Sequence, residues 1–419
     1  MEAIGILEIT DTAVRLLIGQ FHNDEVSVLY TKELPVEDYM DRGEIKNVAK
    51  ILETVNTLAF VKDDEAKLRL KVTKVIFVLP AIGFAIFETR KSTNVVSATS
   101  KIQQLDINNA ISLAQKDLTN PGFEVVDVVP ELFFIGQDKY TKIPPIGETS
   151  RTIAIIARIF ALPSSVISTY VRRIIEPSEI QLKRSVVSTV AIEEVCKKSL
   201  PKIPDHYLID IGEGFTKVAL VGKNNPVSVN IFKKGTGDLI RIVAEKFHIS
   251  FQAAREAIEN YGIENRQTKF MPPVIESVNE EGLKSVYTLD ELSNIIKEFF
   301  VEFFNDLDVC ITTVKKDYVN NPAIANLPFI LTGGVTSMKE LDTLFKGRYP
   351  NNEIHILTSN VMGAREQKYI PLIGALLYSS TYKGSLTDSQ EKVNQLSREE
   401  KKDDTKKKKS GLKGLFGGK

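Results

Sequence analysis

The chain has 419 residues, 43% of them hydrophobic, enough apolar material for two or three packed domains. Its 54 Lys and Arg balance 54 Asp and Glu, so no net field draws nucleic acid to its surface. Two cysteines, Cys196 and Cys310, exclude a disulfide scaffold and fit a reducing compartment; the four histidines (His22, His206, His248, His355) lack metal-ligand spacing and read as structural. The opening Met1-Glu2-Ala3-Ile4-Gly5 has no basic stretch or cleavage site, which predicts a cytosolic N-terminus. The apolar run Val75 to Phe87 is too short to cross a bilayer and is broken by Pro80.

In chain order, residues 3–34 read as a β-meander. Residues 44–70 read as a helix, with Ile45, Val48, Ile51, Leu52, Val55, Leu58 and Ala59 on one face. A strand from Val72 to Leu79 follows. From Ala85 to Leu162 come strand material, a helix from Asp106 to Leu118, a strand from Val125 to Val129 and the apolar Ile153 to Phe160, with Pro144-Pro145-Ile146-Gly147 as punctuation. This stretch reads as an inserted small α/β subdomain; the alternative is a continuation of the first domain. Helices from Ser164 to Ile175 and from Ser185 to Lys198 lead to the strand pair at 207–222.

Beyond it, a strand from Val227 to Phe232 meets Lys234-Gly235-Thr236-Gly237-Asp238, a glycine turn opening a helix through Phe247. Residues 250–305 are mostly helical, with a charged, proline-containing excursion from Glu264 to Glu281. A helix over 289–314 carries Leu292, Ile295, Ile296, Phe299, Phe300, Phe303 and Phe304, a stripe that reads as core or, alternatively, as a partner groove. A strand at 327–331, a Gly-Gly turn, a strand at 353–357 and a helix from Pro371 to Tyr378 complete the folded part. Residues 383–409 are polar and charged and read as a disordered linker. In the last segment, 410–419, Leu412, Leu415 and Phe416 fall at i, i+3 and i+4 beside Lys413, the pattern of an amphipathic helix at a membrane surface; a frayed tail is the alternative.

The chemistry centres on 207–222. Two apolar strands flank Gly212-Glu213-Gly214, a turn whose backbone N–H groups can converge on an anion, while Asp210 at the end of the first strand faces the same point. Phe215 and Thr216 open the return strand. That is a phosphate cradle with a metal-facing carboxylate, and an ordinary hairpin is the competing reading. A second copy lies at 7–19, where Glu8-Ile9-Thr10-Asp11-Thr12 takes the place of Asp210-Ile211-Gly212-Glu213-Gly214. The third element, Phe329-Ile330-Leu331-Thr332-Gly333-Gly334-Val335, is a strand opening on a glycine pair before a helix-like Met338 to Leu341, which permits close approach of a ligand to the backbone. Three such elements in this order resemble the actin, hexokinase and chaperone ATPase superfamily. That resemblance implies two duplicated α/β halves around a cleft for ATP.

Over its whole length the chain resembles the FtsA family of bacterial actin-like cell-division proteins. The resemblance rests on both hairpins, the inserted subdomain with its Pro-x-Gly turn, Leu331-Thr332-Gly333-Gly334, the Pro371-Leu-Ile-Gly-Ala-Leu-Leu-Tyr378 helix, the linker and the terminal segment. It implies a first core subdomain from 1–84, 163–205 and 364–382, an inserted one at 85–162, a second core subdomain from 206–235 and 310–363, and a mainly helical one at 236–309. It further implies ATP with Mg²⁺, actin-like self-assembly, a site on the cytoplasmic face of the membrane at mid-cell, contact with anionic lipid, binding of the tail of the tubulin-like FtsZ, and recruitment of later division proteins. The nucleotide site would comprise Thr10, Asp11, Thr12, Asp210, Gly212, Glu213, Gly214, Phe215, Thr216, Gly235, Arg255, Glu259, Gly333, Gly334 and Val335, with Glu8 and Asp210 toward the metal.

The departures carry information too. In the first hairpin the family's acid, glycine and lysine appear as Glu8, Thr10 and Ala13; in the second, Phe215 replaces a hydroxyl residue. Arg184-Ser185 aligns with a family Glu-Pro pair, which predicts a guanidinium near the phosphates. Arg255 and Ile258 replace an acid and a lysine in the pocket helix, and a basic position used for the FtsZ tail falls on Phe299. Hydrolysis needs carboxylates to hold Mg²⁺ and orient water, and only Asp210 matches cleanly. The expectation is therefore weak or absent turnover, with nucleotide as an assembly ligand. An ATPase or kinase of the superfamily, and an actin-like component of a pilus-assembly platform, are the competing readings.

Overall fold

The computed structural model describes residues 3–22, 25–63, 68–118, 120–137, 139–263, 273–278, 284–316 and 324–381. The linker 383–409 and the terminal segment with Leu412, Lys413, Leu415 and Phe416 lie outside the described residues. Residues up to Ile86 and Leu162–Thr381 form one compact unit, and Phe87–Ala161 a second.

In the larger unit, β1 (Ile4–Ile9) is apolar along nearly all its length because it is covered on both faces, as a central strand must be. It pairs antiparallel with β2 (Ala13–His22), which pairs antiparallel with β3 (Glu25–Pro35). Short strands β4 (Met40–Asp41) and β5 (Glu44–Ile45) precede α1 (Val48–Thr57), which Asn47 caps by accepting from the Lys50 amide. The expected helix over 44–70 is thus much shorter. It ends at Leu58, and β6 (Phe60–Asp63) and β7 (Leu68–Lys71) form a hairpin. The physical reason lies at Phe60, which is exposed while Val61 is buried: the apolar period changes there from the helical to the two-residue one. β8 (Lys74–Leu79) then adds parallel to β1.

The smaller unit builds a sheet from β9 (Ala85–Asn94), β10 (Phe123–Ile135), β11 (Lys139–Thr141) and β12 (Thr152–Pro163), in the order β11-β10-β12-β9. Its helix α2 (Gln104–Gln115) buries Ile107, Ala110 and Ile111 in a core shared with Val128, Ile153 and Ile155.

Back in the larger unit, α3 (Ser164–Ile167) runs on into a π-helical stretch to Ile175. β13 (Gln181–Val187) pairs parallel with β8, so Ser185 to Val187, expected as helix, are strand; Val186 and Val187 are β-branched and buried there. α4 (Ser188–Ser199) follows and crosses to β14 (His206–Ile211).

The second half repeats the first. β14, β15 (Thr216–Gly222) and β16 (Asn225–Phe232) form an antiparallel meander, followed by α5 (Thr236–Phe247), α6 (Phe251–Tyr261), hairpin β17 (Pro273–Val278) and β18 (Lys284–Thr288), and α7 (Leu289–Val314). β19 (Phe329–Thr332) and β20 (Ile354–Ile356) then add parallel, with α8 (Leu341–Arg348) between them. The two sheet orders, β3-β2-β1-β8-β13 and β16-β15-β14-β19-β20, are the same topology twice. The α7 stripe is core: Phe299, Phe300, Phe303 and Phe304 are buried, and Phe304 meets Phe345 edge to face with ring centroids 5.1 Å apart. Finally α9 (Ile370–Thr381) crosses α4 at Gly374, where a Cβ would stand 1.8 Å from the Ala191 carbonyl oxygen. Among the described residues no helix is long and apolar enough to cross a membrane.

Candidate functional site

The two hairpin turns open on one cavity of about 800 Å³ within the larger unit. Of the residues singled out from sequence, Glu8, Thr10, Asp11, Thr12, Asp210, Gly212, Glu213, Gly214, Phe215, Arg255, Glu259, Gly333 and Gly334 line it. Three do not. Thr216 is wholly buried and its hydroxyl donates to the Lys234 carbonyl at 2.8 Å; Gly235 lies beneath the second turn; Val335 packs in the core.

The second turn is held from below. The amides of Thr236 and Gly237, the first turn of α5, donate to the carbonyls of Gly212 (2.8 Å) and Glu213 (2.9 Å). Those helix-end donors have no partner within the helix, so they fix the turn. Gly235 must lack a side chain because a Cβ would fall 2.4 Å from both carbonyl oxygens. The Glu213 side chain is held by Arg255 of α6 at 2.8 and 3.4 Å. Beside it Gly333, with φ +96°, closes against the end of β14.

The first turn is closed by its own side chains and by a neighbouring loop. The Thr10 amide donates to the Ala13 carbonyl at 2.9 Å, and Asp11 accepts the Gly43 amide at 2.6 Å while Tyr170 donates to the Gly43 carbonyl at 2.8 Å. Burial raises the Asp11 carboxyl above its ordinary range, against the opposing pull of that Gly43 bond. The loop also reaches the second half, where Arg42 pairs with Asp238 at 2.7 Å.

Each strand register sets a cation across from an acid: Glu8 lies opposite Arg15 and Asp210 opposite Lys217. Lys217 reaches Asp210 at 2.5 Å, Ser188 at 3.4 Å and the face of Phe215 at 5.5 Å. Arg15 stands 3.8 Å from Glu8 and 3.0 Å from Glu33, which in turn meets Lys368 at 2.6 Å. Burial would raise Glu33, but Lys368 and Arg15 outweigh it and hold that carboxyl below its usual range. Glu8 is different. Burial pushes its carboxyl up to about 7, Arg15 and Lys217 opposing and Asp210 reinforcing, and its Oε2 makes no hydrogen bond.

Arg15, Lys217, Glu33 and Lys368 all line the cavity, and sequence reasoning missed them. A signal for two of them was present, since the cation follows the acid by seven residues in both hairpins. In the first hairpin the lysine sought at Ala13 is answered by Arg15, one alternation along the same strand face. Arg184 requires a correction. It does not line the cavity: it is buried on β13 with its guanidinium 4.6 Å from the ring centre of Tyr378, because the strand register turns it into the helix layer. Ser188, at the start of α4, lines the cavity instead. Phe299, aligned with a basic position, is buried in the second-half core.

Mg²⁺ prefers a few carboxylate oxygens together with phosphate oxygens and water. Glu8 Oε2, buried in the cavity wall without a hydrogen bond, with Arg15 3.8 Å away and Asp210 close enough to perturb it, fits that requirement.

No protein-family model matches the chain. It is 20% identical over 376 residues to the cell division protein FtsA of Enterococcus faecalis, spanning 89% of this chain and 82% of that protein. It is 21% identical over 308 residues to FtsA of Streptococcus pneumoniae, spanning 72% of this chain and 66% of that one. A chain of the PilM-PilN type IV pilus biogenesis complex superposes with a TM-score of 0.53 at 15% identity, covering 90% of this chain and 96% of that one. The chain therefore resembles FtsA as a divergent relative across most of its length, and its fold is the actin-like ATPase fold, whose duplicated halves are the two sheets of equal topology.

Proposed function

We propose that this protein is an actin-like cell-division adaptor that binds ATP in the cleft between its two halves. The observation that carries the reading is the duplicated hairpin whose two turns, each with an acid and a cation across the register, face one cavity beside the Gly333 backbone. Phosphates would rest on the turns at Thr10 to Thr12 and Gly212 to Gly214, where the second turn is pre-set by α5. Arg15 and Lys217 offset phosphate charge, and Asp210 with Glu8 would hold Mg²⁺, which when bound neutralises the polyphosphate. The nucleoside end lies between Arg255 and Glu259 of α6 and the Gly333-Gly334 turn.

Turnover is slow in this reading. Asp210 is committed to the metal and the Gly43 amide engages Asp11, so neither carboxylate is poised to orient water. Nucleotide then acts on assembly: the protein forms actin-like filaments with itself, binds the FtsZ tail and later division proteins, and meets anionic lipid through Leu412, Lys413, Leu415 and Phe416 at mid-cell. The likeness to the pilus complex chain favours a second reading, an actin-like part of a pilus-assembly platform. Calorimetry tests the first step: Mg²⁺-ATP binds the wild type and binds Asp210→Ala more weakly, and absence of binding to the wild type defeats the proposal. Pelleting with anionic liposomes and FtsZ tail peptide separates the two adaptor readings.

A further inference from the structure

Where the first half hands over to the second, three potential metal ligands meet outside the cleft. Glu193 and Cys196 stand one turn apart on α4, and His206 is the first residue of β14; one ligand atom from each lies within 4.8 Å of the others. All three are buried, His206 completely.

The hydrogen bonding there is one positive charge short. His206 Nδ1 lies 3.1 Å from the Ile203 carbonyl, which can only accept, so the ring must donate from Nδ1. A neutral ring then turns the lone pair of Nε2 toward Glu193 Oε2, 3.1 Å away. Two lone pairs at that distance repel unless a proton or a cation lies between them. A histidine donating its other N–H to a backbone carbonyl is also how metal-binding imidazoles are oriented. Independently, the second oxygen of the same carboxylate, Glu193 Oε1, is buried without a hydrogen bond of ordinary geometry, and the Cys196 thiol faces this carboxylate.

We propose that Glu193, Cys196 and His206 bind one Zn²⁺. Thiolate, imidazole and carboxylate are the mixed donors this borderline-soft ion takes, with bonds of about 2.0–2.3 Å that set neighbouring ligand atoms roughly 3.3–3.6 Å apart. The Glu193–His206 contact is already near that spacing, and a water, donating to the second Glu193 oxygen, would complete the fourth position. On binding, the ion displaces the proton held between Glu193 and His206 and the thiol proton of Cys196, both to solvent. The metal fastens the last turns of α4 to the start of β14 and so stiffens the crossing between the halves. Because the site is closed, the ion enters as the chain folds.

The test uses the untagged full chain expressed in minimal medium supplemented with zinc, or with cobalt, followed by dialysis against EDTA. We expect about one zinc per chain by elemental analysis, and a thiolate-to-cobalt charge-transfer band in the cobalt-grown protein. Cys310→Ser keeps both signals and Cys196→Ser loses both. Wild-type protein that is folded yet carries no stoichiometric zinc and shows no cobalt band overturns the proposal even if Cys196→Ser fails to fold. So does a folded Cys196→Ser that retains metal at the wild-type level.

Discussion

Replacing Gly333 by alanine should destabilise the protein strongly, whereas the same change at its neighbour Gly334 should not. Gly333 has φ +96° and ψ 175°, a backbone region essentially reserved for glycine, and forcing alanine into it costs about 1–3 kcal/mol. The new Cβ would also stand 2.2 Å from the Ile211 carbonyl oxygen, which is rigid backbone, so β14 must shift; overpacking of that kind costs a further 1–3 kcal/mol or so. The sum, roughly 2–6 kcal/mol, is a large share of a total stability of about 5–15 kcal/mol. At Gly334 the nearest atom is Thr236 Oγ1 at 3.9 Å, so alanine fits and gains a few tenths of a kcal/mol or more by restricting the unfolded chain. Urea unfolding of both variants, read as a change in midpoint at constant slope, measures the difference. Because Ile211 follows Asp210, Gly333→Ala should also weaken nucleotide binding, while Gly334→Ala can affect binding only from the cavity wall. Equal midpoints for the two variants would refute the close packing of Gly333 on β14.

Glu8 links stability to pH in metal-free buffer: burial raises its carboxyl from 4.5 to about 7, so its favourable contribution is complete below about pH 4.5 and fades as pH rises to about 7. The loss is on the order of 3 kcal/mol, and Glu8→Gln should flatten that part of the profile; parallel urea midpoints from pH 5 to 8 would contradict the burial argument. Arg255→Ala leaves Glu213 without its cation at the second hairpin turn, so in the proposed site ATP affinity should fall roughly 5- to 10-fold, with Glu213→Gln restoring part of it in calorimetry; no change would remove Arg255 from the site. Leu415→Glu, or deletion of 411–419, should abolish flotation with anionic vesicles, since charge replaces an apolar contact of about 1.5–3 kcal/mol at most; continued flotation places the anchor elsewhere.

Local chemistry along the chain determined a good deal. The acid, turn and apolar strand written twice, together with a strand ending in Gly333-Gly334, specify the duplicated actin-like architecture, because turn residues and apolar periods depend on neighbours a few positions apart. The α7 stripe was equally legible as a helix face, but only the tertiary structure decided that Phe300, Phe303 and Phe304 are core, since that depends on Phe345 reaching them. Register was the larger unknown. It set Arg15 across from Glu8 and Lys217 across from Asp210, turned Arg184 under Tyr378 and drew Ser185 to Val187 into a sheet, and none of those pairings follows from spacing without knowing which strand lies alongside. Two glycines that look alike in sequence differ for the same reason, one pressed on Ile211 and the other with only Thr236 Oγ1 at ordinary contact distance. His206, unremarkable among scattered histidines, meets Glu193 and Cys196 only because α4 returns its last turns to the head of β14. Contacts between residues far apart in sequence are decided by burial of the whole, and burial is a property of the folded chain.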